Sequence, residues 1–333
     1  MRSNLTYGSC LEKMRILVTG ATGFIGGRIF EELSAAGFDV VGTCRNTSPT
    51  SPNIAQMDVF DADAVDQLFA AKKFDAVVHC AGVAHRFGKT PDSVYRDVNV
   101  EGTRNVAKAA REHAVPKFIL MSSVLVYGGG GDSSSPKQES DAKLPRDAYA
   151  QSKLDAELAA QEQFLGNSSA LLILRPAPVV GEGSKGNFAK LVNAIARGRF
   201  VWLGSGRNQK SLTYVGDISV ACRSFLTESS KEQVQILNIA SPPASMAEIV
   251  NAISDELGRA VPRFYVPELF ARIASEAGKL IGGPAGRIGR SIETWLSEDV
   301  YSTAAFAEAF PDLGQTPILG AVRYDVRARI ETR

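Results

Sequence analysis

The run Thr19-Gly20-Ala21-Thr22-Gly23-Phe24-Ile25-Gly26 directly follows the apolar pentapeptide Arg15–Thr19, and no other feature constrains the fold as tightly. Glycines at this spacing suit a turn between a buried strand and a helix that cradles a pyrophosphate. Gly20 allows the tight turn, Gly23 lets the backbone approach a phosphate, and Gly26 lets the helix lie close to the strand. Backbone N–H groups from Thr22 through Phe24 and Ile25 then point at the anion, whose charge the helix dipole favours. A glycine turn without a ligand is the bland alternative, and the strand–turn–helix context weighs against it.

The first half of the chain alternates short apolar runs with helical periodicity. Strands are expected at Arg15–Thr19, Val40–Cys44, Phe74–Cys80, Phe118–Ser122 and Leu171–Arg175, and helices at Gly26–Ala36, Asp61–Ala71, Val94–His113 and Tyr149–Phe164. This alternation predicts an α/β fold with a doubly wound (Rossmann) parallel sheet. Beyond Arg175 the pattern loosens. Helices are expected at Asn187–Arg197 and Val215–Leu226, with turn signals at Gly282-Gly283-Pro284 and Pro311. The chain therefore reads as an extension over 1–13, a dinucleotide-binding domain over 14–175, and a smaller substrate-binding lobe over 176–333. Some segments of that lobe return to the sheet, and 333 residues suffice for both parts.

The end of the second strand bears on the choice of cofactor. A carboxylate there would hold the ribose hydroxyls of NAD, whereas an arginine suits the 2′-phosphate of NADP. The sequence has Cys44-Arg45-Asn46 and no acid. The cofactor is thus expected to be NAD(P), with a lean towards NADP(H) and Arg45 on the phosphate, unless Arg45 is merely a solvated loop cation. Asp58, followed by Val59, is a candidate acceptor for the adenine amine or a carboxylate near a helix start.

Tyr149 and Lys153 lie four residues apart on one helix face, and Ser122-Ser123 ends a strand. In a doubly wound sheet these positions border the ligand crevice. A tyrosine ordinarily ionises near pH ~10, so a nearby ammonium is expected to favour the phenolate and fit Tyr149 for proton transfer. Ser123 can hydrogen-bond the substrate oxygen on which charge develops. A tyrosine–lysine pair alone would read as surface decoration; the glycine loop and strand-end serines give it weight.

The segments TGATGFIG, His79-Cys80-Ala81-Gly82, Asn99 in VNVEGTRN, SSVLVYG and YAQSK together resemble the extended short-chain dehydrogenase/reductase family of nucleotide-sugar epimerases and reductases, from Met14 onward. The resemblance implies catalytic places for Ser123, Tyr149 and Lys153, and cofactor contacts from Cys80, Ala81, Gly82, Asn99, Ser122 and Pro176. Dehydratases of this family have an acidic pair after the strand-end serine or threonine; here Val124-Leu125 stand there, and neither can move a proton. Simple hydride transfer remains, most simply reduction of a 4-keto-sugar, with 4-epimerisation as the alternative. The stretch from Lys185 to Asp217 is similar to UDP-sugar 4-ketoreductases and implies that Asn187, Arg207 and Lys210 contact a UDP-linked substrate. The family resemblance also implies a homodimer joined through the helices at Val94–His113 and Tyr149–Phe164, whose alanine-rich faces permit close packing.

Other classes carry less weight. A net charge of +1 provides no bulk attraction to nucleic acid or an anionic membrane, and neither is expected as a partner. Cys10, Cys44, Cys80 and Cys222 form no CxxC pair and His79, His85 and His113 have no ligand spacing, so no metal is expected. Reduced thiols, a polar N-terminus and no long apolar run fit a cytoplasmic protein. His85 and Arg86 could border the substrate or simply form a loop. A reductase of a non-sugar ketone and a non-enzymatic dinucleotide sensor stay open as rivals.

Overall fold

The computed structural model describes residues 14–45, 51–84, 90–228, 232–261 and 263–331. The extension before Met14, Asn46, His85 and Arg86 lie outside the described residues. At the centre is a parallel sheet of seven strands: β1 (Arg15–Thr19), β2 (Asp39–Cys44), β3 (Ile54–Gln56), β4 (Ala76–His79), β5 (Lys117–Met121), β6 (Ala170–Pro176) and β7 (Val234–Ile239). Their spatial order, β3-β2-β1-β4-β5-β6-β7, reverses its direction of growth between β1 and β4. Such a reversal opens a crevice at the strand C-termini.

The helices, in chain order, are α1 (Phe24–Ala35), α2 (Ala62–Ala71), α3 (Gly102–Glu112), α4 (Ala148–Phe164), α5 (Asn187–Ala196), α6 (Val215–Thr227), α7 (Met246–Glu256), α8 (Glu268–Ile281), α9 (Gly283–Leu296), α10 (Ala304–Ala309) and α11 (Ile318–Glu331). Successive strand residues point to opposite faces, so each strand feeds two cores. Ile16, Val18, Ile119 and Met121 meet α1 and α6 on one side. Leu17, Phe118 and Leu120 meet α2, α3 and α4 on the other. Strands covered on both faces must be apolar throughout, which is why they read as unbroken runs.

Beyond Pro176 the chain divides. β7 joins the sheet beside β6, α6 covers it, and α5, α7 and α11 surround a separate core that includes Ile195, Val250, Ile253 and Val322. The helix expected at Val94–His113 is broken into a turn at Asp92–Tyr95, a π-helix at Arg96–Glu101 and then α3. The π segment holds Asn99, and local widening of this kind recurs at functional sites.

Candidate active site

Nine of the residues expected at the cofactor (Gly20, Thr22, Gly23, Arg45, Asp58, Val59, Cys80, Ala81 and Gly82) line one cleft of about 240 Å³ at the C-terminal edge of β1, β2 and β4. Gly20 has a φ of +68°, and a Cβ there would sit 2.8 Å from the Ala81 nitrogen. At Gly26 a Cβ would lie 2.4 Å from the Gly20 carbonyl oxygen. Gly23 is the N-cap of α1 and makes no side-chain cap. The first N–H groups of α1, over Phe24, Ile25 and Gly26, are therefore free for an anion. Glycine cradle and uncapped helix start both suit a dinucleotide pyrophosphate. Arg45 is exposed at the cleft wall, and one Asp58 oxygen accepts from the Phe60 N–H (3.0 Å). Asn99, Ser122 and Pro176 lie outside the lining of this part of the crevice.

A polar chain beneath the cleft fixes its floor. The Ala81 N–H donates to Thr19 Oγ1 (3.1 Å), which lies 2.8 Å from His79 Nδ1; His79 Nε2 lies 3.1 Å from Thr103 Oγ1, which donates to the Asn99 carbonyl (2.6 Å). With both threonine hydroxyls donating onward, the imidazole carries its proton on Nε2. Burial, with Lys153 nearby, drives the His79 pKa down to about 3, so the ring is neutral. The Asn99 amide accepts from the Val83 N–H (2.7 Å) and donates to the Val83 carbonyl (3.2 Å) and Ser152 Oγ (2.9 Å). Asn99 thus ties the cleft floor to α4 and acts as a positioning residue.

Three groups of the expected site lie on or against the first turns of α4. The Tyr149 phenol hydrogen-bonds the Ser123 side chain and its ring meets Tyr95 edge-on at 5.8 Å. Ser123 sits at the end of the loop after β5, where its Oγ accepts from the Leu125 N–H. Lys153 is buried and donates to the Met121 carbonyl (2.8 Å); a Cβ on Gly82 would lie 3.5 Å from its Nζ. The expectation that Lys153 lowers the phenol's pKa is not met. Burial pushes Tyr149 up to about 12, partly offset by the Ser123 hydrogen bond. The same burial draws Lys153 down to about 8, against the attraction of Cys80 and Glu157. The phenol is thus a neutral acid at pH 7. Burial also raises the Cys80 thiol to about 12, leaving it unreactive.

Ser122, expected at the cofactor, turns its hydroxyl to Glu157 instead. Glu157 is buried and holds Arg175 through two hydrogen bonds (2.9 and 2.6 Å), and Arg175 donates to the Tyr127 hydroxyl (2.8 Å). This network braces β6 and the end of β5 against α4, one turn beyond Lys153 on the same helix face.

On the substrate side the structure corrects one expectation. Lys210 is buried, and its three ammonium protons go to the Thr294 carbonyl (2.7 Å), Ser297 Oγ (3.1 Å) and Asp299 Oδ2 (2.5 Å). No donor remains for a diphosphate. Asn187 is exposed at the first position of α5, after Gly186 with φ +85°. Arg207 is exposed and shares a hollow of about 240 Å³ with Arg272, Glu268 and Glu298. Tyr95 and Arg272 were not anticipated. Tyr95 lies within an ordinary helical run, and Arg272 comes from a helix far along the chain with no motif. No cluster of His, Cys, Asp and Glu suited to a metal occurs among the described residues.

Residues 16–240 match the family described as the NAD dependent epimerase/dehydratase family. The chain is 34% identical over 256 residues to an Escherichia coli O157:H7 protein named N-acetyl-alpha-D-glucosaminyl-diphospho-ditrans,octacis-undecaprenol 4-epimerase, covering 76% of this chain and 75% of that one. It is 31% identical over 261 residues to a Vibrio cholerae UDP-glucose 4-epimerase, covering 76% and 78%. Its fold matches that of MoeE5, solved with UDP-glucuronic acid and NAD, at a TM-score of 0.75 and 22% identity over 96% of this chain and all of that one.

Proposed function

The chain belongs to the NAD dependent epimerase/dehydratase family, and from that premise we propose that it transfers hydride at C4 of a sugar carried on a diphosphate, with Tyr149 as the acid and base. The observation that carries this reading is the hydrogen bond between the Tyr149 phenol and the Ser123 hydroxyl, with the Lys153 ammonium one turn along α4 at Gly82 of the glycine-lined cleft. A nicotinamide dinucleotide bound in that cleft supplies the hydride acceptor and donor. The neutral phenol gives its proton to a carbonyl oxygen as hydride reaches C4, while Ser123 hydrogen-bonds the same oxygen. In the reverse direction the phenol must first lose its proton. With Tyr149 at about 12 this costs about 7 kcal/mol at pH 7, and any cation alongside reduces that cost.

Among reactions of the family, dehydration is disfavoured. Val124 and Leu125 follow Ser123, Val124 is fully buried, and neither can take a proton. The two relatives carry the name of 4-epimerases, which supports epimerisation by oxidation, rotation and re-reduction as the leading reading. One-way reduction of a 4-keto-sugar is the second, favoured by Arg45 at the end of β2, where a 2′-phosphate and hence NADPH would be held. The first relative is named for a polyprenyl-diphosphate sugar and the second for a UDP sugar; a diphosphate is common to both, and Arg207 and Arg272, which share one hollow, are candidate cations for it. We place the enzyme in the cytoplasm as a homodimer joined through α3 and α4, with residues 176–333 forming most of the substrate lobe.

Incubation with UDP-N-acetylglucosamine or UDP-glucose and oxidised cofactor, followed by NMR of the sugar, tests the proposal. Appearance of the C4 epimer without net cofactor turnover supports epimerisation. Stoichiometric consumption of NADPH on a 4-keto-sugar supports reduction. Neither outcome on any diphosphate sugar would overturn the reading.

A further inference from the structure

The α8–α9 hairpin inverts the usual arrangement of a water-facing helix pair. Small residues face inward: Ala271, Ser275 and Gly278 of α8 are buried, as are Gly286 and Gly289 of α9. A Cβ on Gly278 would sit 2.7 Å from the Ala285 carbonyl oxygen, and Ser275 Oγ donates to the Gly289 carbonyl (2.8 Å). Large apolar residues face outward: Phe270 is 62% exposed, Leu280 89% and Ile281 77%, with Leu269, Ile273 and Ile288 also exposed. By helical periodicity Leu269, Phe270, Ile273, Leu280 and Ile281 fall within one sector of roughly 120° on α8, opposite its small residues. Small residues inside and large apolar ones outside is the packing of helices surrounded by lipid.

The hairpin itself, 268–296, carries four cations against three carboxylates, and Arg259 and Arg263 just before it bring 259–296 to six against three, where the chain as a whole is +1. Arg272 pairs with Glu268, and Lys279 with Glu276 and Glu293. Arg287 and Arg290 stay outside these pairs and are exposed, Arg287 next to Ile288 in sequence and Arg290 most of half a turn round α9 from it. A second copy packed on this face by a two-fold axis would offer these arginines the carboxylates Glu268, Glu276 and Glu293, which are already paired within the hairpin.

We propose that the α8–α9 hairpin docks the protein on an anionic phospholipid bilayer. The helices are about 21 Å long, too short to cross the hydrocarbon core, so the hairpin lies in the interface with its apolar face among the lipid tails and Arg287, next to Ile288, at the headgroups. Its base joins the substrate side of the molecule. Trp295 Nε1 donates to the Leu203 carbonyl (3.2 Å), Asn208 Nδ2 donates to the Trp295 carbonyl (2.8 Å), and Glu268, Arg272 and Leu296 line the hollow that holds Arg207. Docking therefore holds the Arg207 hollow at the bilayer surface, where a sugar diphosphate on a polyprenol presents its diphosphate. That use rests on the proposed activity; the docking does not.

The test is co-sedimentation of the full chain with vesicles of two parts phosphatidylcholine to one part phosphatidylglycerol, against phosphatidylcholine alone, alongside analytical ultracentrifugation without lipid. The wild type is expected to pellet with the anionic vesicles. The exposed double substitution Phe270→Glu/Ile281→Glu lowers partition by more than about tenfold, and Arg287→Gln lowers it by about fivefold. Dinucleotide affinity and melting temperature stay unchanged in both variants, which separates failure to dock from failure to fold. Absence of the wild type from the anionic pellet overturns the proposal, as does equal pelleting of the double variant. So does a loss of self-association in the double variant without vesicle binding by the wild type, which would assign the face to a second copy.

Discussion

Lys153 is held charged in a place that disfavours charge, and removing it should stabilise the protein while disabling it. Burial draws its pKa from 10.5 to about 8, which corresponds to about 3 kcal/mol of destabilisation when the group is charged. Lys153→Met keeps the apolar stem and removes the ammonium. The Met121 carbonyl then loses its partner, at a penalty of about 1–2 kcal/mol, so a net gain of about 1–2 kcal/mol remains at pH 7. A base with a folded pKa below its unfolded value binds fewer protons when folded. Wild-type stability therefore rises between pH 8 and 10.5, and the advantage of the variant shrinks over that window. Urea titrations of both proteins at pH 7 and pH 10, monitored by tryptophan fluorescence, measure the difference directly. A variant less stable than wild type at pH 7, or a difference equal at both pH values, would refute the assignment of burial as the cause.

Three further outcomes follow from the same geometry. Lys210→Met should lose about 1–3 kcal/mol of stability, because Asp299 keeps the Ser297 hydroxyl (2.8 Å) and the Gly130 N–H (3.3 Å) but loses its cation, yet change KM for a UDP sugar by less than threefold; a large KM effect with normal stability would return Lys210 to the substrate. Arg45→Ala should weaken NADPH binding by about tenfold and leave NADH within twofold if the arginine holds a 2′-phosphate, and isothermal titration reads both. Asn99→Ala should raise the dissociation constant of the dinucleotide and lower kcat together, because it loosens both the Val83 backbone and α4; an effect on neither would show that the polar chain is dispensable.

The parts legible in the sequence were those whose pattern is local. The glycine loop, the strands buried on both faces and the tyrosine–lysine spacing each lie within one or two elements, and backbone geometry dictates their residue types. β7 was not legible, since Gln235 and Asn238 interrupt its apolar run and β6 makes it a strand by pairing. The fate of Lys210 was hidden for a similar reason: its partners Thr294, Ser297 and Asp299 lie more than eighty residues away. The role of His79 was legible as a residue but not as a link, because Thr19 and Thr103 come from different elements. The Gly282-Gly283-Pro284 signal marked the tip of the α8–α9 hairpin without revealing the outward apolar face, which only the helix–helix contact defines.

The central claim is that the Tyr149 phenol carries the proton to and from the reacting oxygen. Tyr149→Phe keeps the ring against Tyr95 and removes only the hydroxyl. Single-turnover kinetics on a diphosphate sugar, with dinucleotide affinity measured on the same preparation, should show a loss of about 10²–10⁴-fold in rate and no change in affinity. A rate within about tenfold of wild type at equal dinucleotide occupancy would contradict the account.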